Sequence, residues 1–189
     1  MRLTDNRYAA EMAKFQLAVR MIAHEARTGT IRHCTGFSED RIRKIYATYF
    51  KNQGASPVRR RRGKTPRQIA CFVGSSVAQS EATVLACLFL HSGLLRMHPA
   101  DGVARPVNLE ALRLGERLCE AFETYQSVHP RAALCIEKAW ALYTALAVDQ
   151  ELYFAQCAHC SSPYVQDRYA LDYRRCPFCE HKQAAASGC

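Results

Sequence analysis

Apolar positions in the first fifty residues recur at helical spacing. Tyr8, Met12, Phe15, Val19, Ile22 and Ala26 fall at alternating steps of four and three, which lines them on one stripe of a helix. Thr4 or Asp5 suits its N-cap, since either side chain accepts from a free backbone N–H. The near-heptad step fits packing on another helix, in the chain's own core or in a partner. Thr28-Gly29-Thr30 is expected to break this helix, and a short helical piece around Ile31–Cys34 follows. Thr35-Gly36-Phe37 reads as a turn and Ser38 as the next N-cap. Glu39 and Asp40 then suit the positive end of the helix dipole. Ile42, Ile45, Tyr46 and Tyr49 give this helix its apolar face.

The pattern vanishes over residues 51–67, which hold one aliphatic side chain, Val58, among Gly54, Pro57, Gly63 and Pro66. Four consecutive arginines repel one another, so the stretch reads as a linker that stays mobile until a partner arrives. Three helices are expected next. The first runs from about Ser76 to Leu95, and residues 98–106 form a loop after it. The second starts near Asn108 and ends at His129-Pro130. The third, from Ala132 to about Val148, is apolar nearly all round and therefore central. From Tyr153 on the chain is short-patterned, polar and aromatic.

Charge changes this picture. The 189 residues carry a net +9, but residues 1–67 hold sixteen Lys and Arg against five acids, while the remainder is slightly acidic. A basic end on a near-neutral body points to a polyanion, nucleic acid or an anionic surface. The longest apolar run, Thr83 to Leu90, is far short of the roughly 20 residues of a membrane span. Asp5, Glu11 and Lys14 interrupt any secretory apolar region. A cytoplasmic protein with reduced thiols is the expectation, so ten cysteines ask first for a metal or catalytic explanation.

Cys157-Ala-His-Cys160 and Cys176-Pro-Phe-Cys179 are two C-x2-C knuckles fifteen residues apart. Two residues between thiolates let one tight turn aim both sulfurs at a point, and two such turns close the tetrahedral site that zinc prefers. Tyr164-Val165 and Tyr169–Tyr173 between them can supply a small hairpin. Two disulfides, or His159 or His181 replacing one cysteine, remain open alternatives. A four-cysteine site has no open position for water, so one structural Zn2+ per chain is expected rather than a catalytic one. Too few apolar residues surround it for a separate core, so metal should supply folding free energy. Cys34, Cys71, Cys87, Cys119 and Cys135 read as small core hydrophobes. The fold class is thus mainly α, a helical bundle-like domain with a C-terminal four-cysteine zinc-ribbon-like region. The segments are 1–50, linker 51–67, helical domain 68–150 and zinc-binding region 151–189.

Ile31 through Ile45 has helix–turn–helix spacing: glycine for a left-handed turn, an apolar residue under it, a capping serine, then a helix burying Ile42 and Ile45. That helix can expose Glu39, Arg41, Arg43, Lys44 and Thr48 to a DNA groove, although an ordinary helical hairpin has the same pattern. Arg32 occupies a helix contact position that usually wants a small residue. Arg59, Arg60, Arg61, Arg62, Lys64 and Arg67 can contact phosphates or enter a minor groove, or form a solvated linker that touches nothing. Membrane attachment is disfavoured, because no amphipathic helix accompanies the run. No phosphate loop, G-x-S-x-G elbow or H-E-x-x-H motif occurs, so no enzyme is expected.

The chain resembles FlhC, the flagellar master transcriptional regulator subunit family. The residues that carry the resemblance are a Pro before the last long helix, Ala139-Trp140 within it, and both knuckles. Ala26 to Tyr49, with Thr35, Ser38, Arg41, Ile42 and Tyr46, is also similar. The resemblance implies a transcription activator that binds double-stranded DNA at promoters of flagellar operons and acts through RNA polymerase. Its partner would be an FlhD-like subunit, in a hetero-oligomer of four FlhD and two FlhC chains. It also implies zinc on Cys157, Cys160, Cys176 and Cys179. The run of four arginines is not a hallmark of that family. A thiol or zinc oxidoreductase, and a zinc-ribbon protein-interaction scaffold without DNA binding, are the competing classes.

Overall fold

The computed structural model describes residues 3–51, 58–61, 63, 68–98, 104–129, 132–148, 150–170 and 176–186, which are mostly helical. Helices α1 (Leu3–Ala23), α2 (Thr28–Thr35) and α3 (Glu39–Tyr49) come first. The short α4 (Ala70–Val73) leads into α5 (Ser76–His91). Strands β1 (Leu95–Met97) and β2 (Ala104–Pro106) form an antiparallel pair. Then come α6 (Ala111–Val128) and α7 (Ile136–Ala147). A second antiparallel pair, β3 (Leu152–Gln156) and β4 (Pro163–Asp167), precedes α8 (Pro177–Ala186). Among the described residues no helix is long and apolar enough to cross a membrane.

The body assembles around α5. Ser75 Oγ accepts the Ala78 amide at 3.2 Å and caps it, a contact worth about 1 kcal/mol. Ala82, Leu85, Ala86 and Phe89 are buried where α4, α6, α7, β1, β4 and α8 pack on this helix. It stops at His91, short of the expected Leu95, because Gly93 turns left-handed (φ +70) and the Leu94 amide donates back to Phe89 O at 2.9 Å. The stretch expected as a loop over 98–106 includes β2. Three-residue strands are too short to show an alternation in sequence.

Two expectations for the first helix are corrected. Its buried face is Leu17, Ala18, Met21 and Ile22, while Tyr8 is 69% exposed and Met12 37%. Only the C-terminal half therefore reaches the core. Phe15 is half-buried, edge-on to the exposed Tyr49 at 5.6 Å between centroids. The helix also breaks earlier than Thr28–Thr30, which form the first turn of α2. Glu25 takes φ 61 and the Ala26 amide donates to Met21 O at 3.0 Å. Ala26 is buried at this corner, and the Arg27 amide donates to the buried Glu137 carboxylate at 2.7 Å. These are tertiary contacts that local spacing does not encode.

The α2–α3 turn forms as its residues demand. Gly36 is left-handed (φ 71) and its amide donates to Arg32 O at 2.9 Å. Phe37 is buried beneath it, and Ser38 Oγ accepts the Arg41 amide at 3.3 Å. Across α1 and α6, Arg20 donates to both Glu123 oxygens at 2.8 and 2.5 Å, and His24 Nε2 lies 2.7 Å from the same carboxylate. The Arg20 guanidinium, more than offsetting burial, and His24 bring the Glu123 carboxyl down to about 2.

The cysteine-bearing C-terminal unit is joined to this body. Leu152, Phe154 and Val165 belong to the main core. Buried Gln79 of α5 donates to Val165 O at 2.9 Å and Gln166 Oε1 at 2.7 Å, and Thr83 Oγ1 accepts the Val165 amide at 3.1 Å. Polar side chains of α5 thus complete the hydrogen bonding of β4, as buried backbone groups require.

Helix α6 crosses α1 and α2 at Gly115, where a Cβ would stand 2.7 Å from both Leu17 Cδ2 and Cys34 Cβ. Gly115→Ala is expected to destabilise the chain by about 1–3 kcal/mol through overpacking. Urea unfolding reads this as a lower midpoint with an unchanged slope; an unchanged midpoint contradicts the close crossing.

Candidate metal centre and basic face

The first knuckle is itself a hairpin turn. Cys157 follows β3, and its amide donates to Ser162 O at 3.0 Å while its carbonyl accepts the Ser161 amide at 2.8 Å. Ser161 takes the left-handed conformation (φ 58) that the reversal needs. The expected hairpin between the knuckles is corrected: its first strand precedes Cys157. Tyr169 instead turns on Asp167, whose carboxylate accepts its amide at 2.9 Å, and residues 171–175 lie outside the described residues. The second knuckle opens α8. Pro177 takes the first helical position, where a missing N–H costs nothing, and Cys179 lies in the first turn, its amide bonded to Cys176 O at 3.0 Å.

The four sulfurs of Cys157, Cys160, Cys176 and Cys179 lie within 4.8 Å of one another. Cys160 and Cys176 sulfurs are 3.6 Å apart, and those of Cys157 and Cys179 3.9 Å. A tetrahedron with metal–sulfur bonds of about 2.3 Å has edges of about 3.8 Å, so the cluster fits one metal ion. Both separations far exceed the roughly 2.05 Å of a disulfide. His159 and His181 are exposed and stand outside this group. Tyr164 and Ala155 wall the cluster, on the strand faces opposite Phe154 and Val165.

The thiols are prepared unequally. Burial opposes the Cys157 thiolate, but amide donors from Cys160, Cys176 and His159 outweigh it and bring the thiol down to about 6. The Cys176 amide reaches that sulfur at 3.3 Å. Hydrogen bonding to Cys160, followed by burial, pushes Cys179 up to about 12. Four thiols this close cannot all ionise on their own, and a divalent cation would take the place of their protons. The other cysteines differ. Burial raises Cys34 and Cys119 to about 12 and also raises Cys71 and Cys87. Only Cys34 and Cys119 of the five expected core cysteines are fully buried; Cys71, Cys87 and Cys135 are half-buried.

The candidate DNA-reading helix exposes Glu39, Arg41, Arg43, Lys44 and Thr48. Two of its cations are engaged. Arg41 lies 3.7 Å over the Phe37 ring and donates to Glu11 at 2.8 Å. Arg43 donates to Asp40 at 2.8 Å and Glu39 at 3.2 Å. Residues 58–61 of the expected linker lie on the α1–α2 corner. Val58 packs on the core and its carbonyl accepts the Tyr46 hydroxyl at 2.8 Å. The Arg59 amide and Arg61 Nε donate to Glu25 at 3.2 and 3.0 Å, and Arg60 reaches Thr28 Oγ1 at 3.4 Å. One half-buried carboxylate and one apolar anchor thus offset the repulsion of the arginines. Arg62, Lys64 and Arg67 lie outside the described residues.

Arg43, Arg60 and Arg61 converge with Arg27 on a cavity of about 490 Å³ that includes Thr28 and Gly29. Arg41, Lys44 and Arg59 do not line it. Sequence reasoning missed Arg27 and Glu137, whose Nε and Oε2 lie 3.8 Å apart. The only signal was a lone acid in the first turn of a mostly apolar helix. Fold and site define a mostly helical protein with a four-cysteine cluster that could hold one metal ion. No protein-family model matches the chain, and no curated protein sequence matches it.

Each ligand must lose its proton to bind metal, so acid is expected to release the ion. Cys176→Ser should lower bound metal well below one equivalent. Mass-spectrometric metal analysis after gel filtration over falling pH checks both, and a full equivalent retained by the variant contradicts the ligand set.

Proposed function

We propose that this chain is a DNA-binding transcription activator subunit of the FlhC type, its C-terminal unit held by one structural zinc. The observation that carries the DNA reading is the convergence of Arg43 from α3, Arg60 and Arg61 from the linker and Arg27 beside the first turn of α2. A helix N-terminus flanked by guanidinium groups suits a phosphate, and α3 stands next to it with a capped start and an exposed polar face. Phosphate contacts set orientation, and side chains of α3 would read base edges. Engagement means exchanging Glu39, Asp40 and Glu25 for phosphates, so affinity should depend strongly on salt.

The FlhD-like partner, RNA polymerase and flagellar promoters enter through the resemblance carried by the knuckles and by Ala26–Tyr49. In this reading the exposed end of α1, with Tyr8 at 69% and Met12 at 37% exposure, is where the partner helix docks, and the protein acts in the cytoplasm. The same exposure, together with the ion pairs on α3, favours a second reading: a zinc-bearing scaffold that binds protein alone. A closed site of four sulfurs suits structure rather than catalysis.

Lys44→Ala with Arg60→Ala and Arg61→Ala is expected to weaken duplex binding. For each phosphate contact removed, the slope of log affinity against log salt should fall by about 0.9. Mobility-shift titrations over a salt series, with an FlhD-like chain present, measure this. Unchanged affinity and slope contradict the basic face, and no retention of DNA by the unaltered complex favours the scaffold.

A further inference from the structure

Behind the arginine-lined cavity lies a larger one of about 1070 Å³, and the two share Arg27, Gly29 and Gly63 in their walls. Its size is that of a small-molecule site. Trp140, Phe72, Tyr143 and Leu114 give it aromatic and apolar walls. The His33 ring stands 5.0 Å from that of Trp140, tilted by 58°, and both residues line the cavity. Arg27, Thr30, His33, Thr144 and Glu151 interrupt this lining with polar groups. The Trp140 indole is a donor and the Glu151 carboxylate an acceptor, and both residues are half-buried.

An aromatic chamber opening onto arginines selects a ligand that is flat and apolar-faced at one end and polyanionic at the other. The flat end must also carry hydrogen-bonding edges to use the indole N–H and the carboxylate. A purine has ring acceptors for the first and amino or imino N–H groups for the second. Its triphosphate would reach Arg60 and Arg61, exchanging the Glu25 carboxylate for a more highly charged partner. We infer that this chain binds a purine nucleotide, with the base among Trp140, His33 and Glu151 and the phosphates on Arg60 and Arg61. The site requires no DNA, so it stands or falls separately from the DNA-binding reading.

Trp140 is the only tryptophan of the chain, so its fluorescence reports the chamber directly. ATP and GTP are titrated into the intact chain without DNA. At least one is expected to change the emission saturably at one equivalent. The matching nucleoside and inorganic tripolyphosphate, each holding half of the recognition, should bind at least about tenfold more weakly. His33→Ala, at an exposed position, and Arg60→Ala with Arg61→Ala should each weaken the nucleotide about tenfold, with circular dichroism showing the fold retained. No saturable change with either nucleotide overturns the inference, as does tripolyphosphate binding equally well or both variants binding like the unaltered chain.

Discussion

Four sulfurs drawn within 4.8 Å of one another are the constraint on which the C-terminal unit depends. Among the described residues only Tyr164 and the half-buried Ala155 supply apolar contact to the cluster itself, while Leu152, Phe154 and Val165 tie the hairpin to the main core. Structural zinc contributes on the order of 10–16 kcal/mol in small peptides, enough to fix two turns that have little else. The ion would tie the β3–β4 turn to the start of α8. Gln79 and Thr83 then bind β4 to α5, so the order created at the cysteines passes to the central helix rather than ending in a tethered knob.

A second buried polar contact organises the opposite end. Glu137 is almost fully buried and accepts the Arg27 amide, which fixes the corner where α1 ends and α2 begins. Residues 58–61 lie on that same corner through Glu25 and Tyr46. Arg61 and the Arg59 amide are therefore held beside the first turn of α2 by Glu25, and Arg60 by the Thr28 hydroxyl. Breaking a buried pair such as Arg27 and Glu137 typically costs about 3–5 kcal/mol, much more than the surface pairs of Arg43, which are worth about 0–1 kcal/mol each. The corner is thus fixed by a buried contact, while the ion pairs at its surface contribute little.

The features legible in the sequence are those fixed by chemistry within a few residues. Gly36 and Ser38 announced their turn and cap because no distant contact is needed to form them. The knuckles announced a shared site because C-x2-C geometry is local and repeated. What was not legible came from afar. The stripe from Tyr8 to Ala26 has helical period, but the packing of α2, α3 and α6 decides which half of α1 is covered. Leu152–Gln156 became a strand because its partner follows the first knuckle, whereas the residues between the knuckles suggested a hairpin of their own. The burial of Glu137 depended on an amide 110 positions earlier. The arginine run read as unanchored because its anchors, Glu25 and Tyr46, lie on other elements.

The central claim is that four thiolates and nothing else hold one metal ion at the join of β3, β4 and α8. X-ray absorption at the zinc edge, on the intact chain loaded with one equivalent, tests it most directly. Four sulfur scatterers at about 2.3 Å are the predicted first shell. Nitrogen or oxygen scatterers at about 2.0–2.1 Å in place of any sulfur would contradict it.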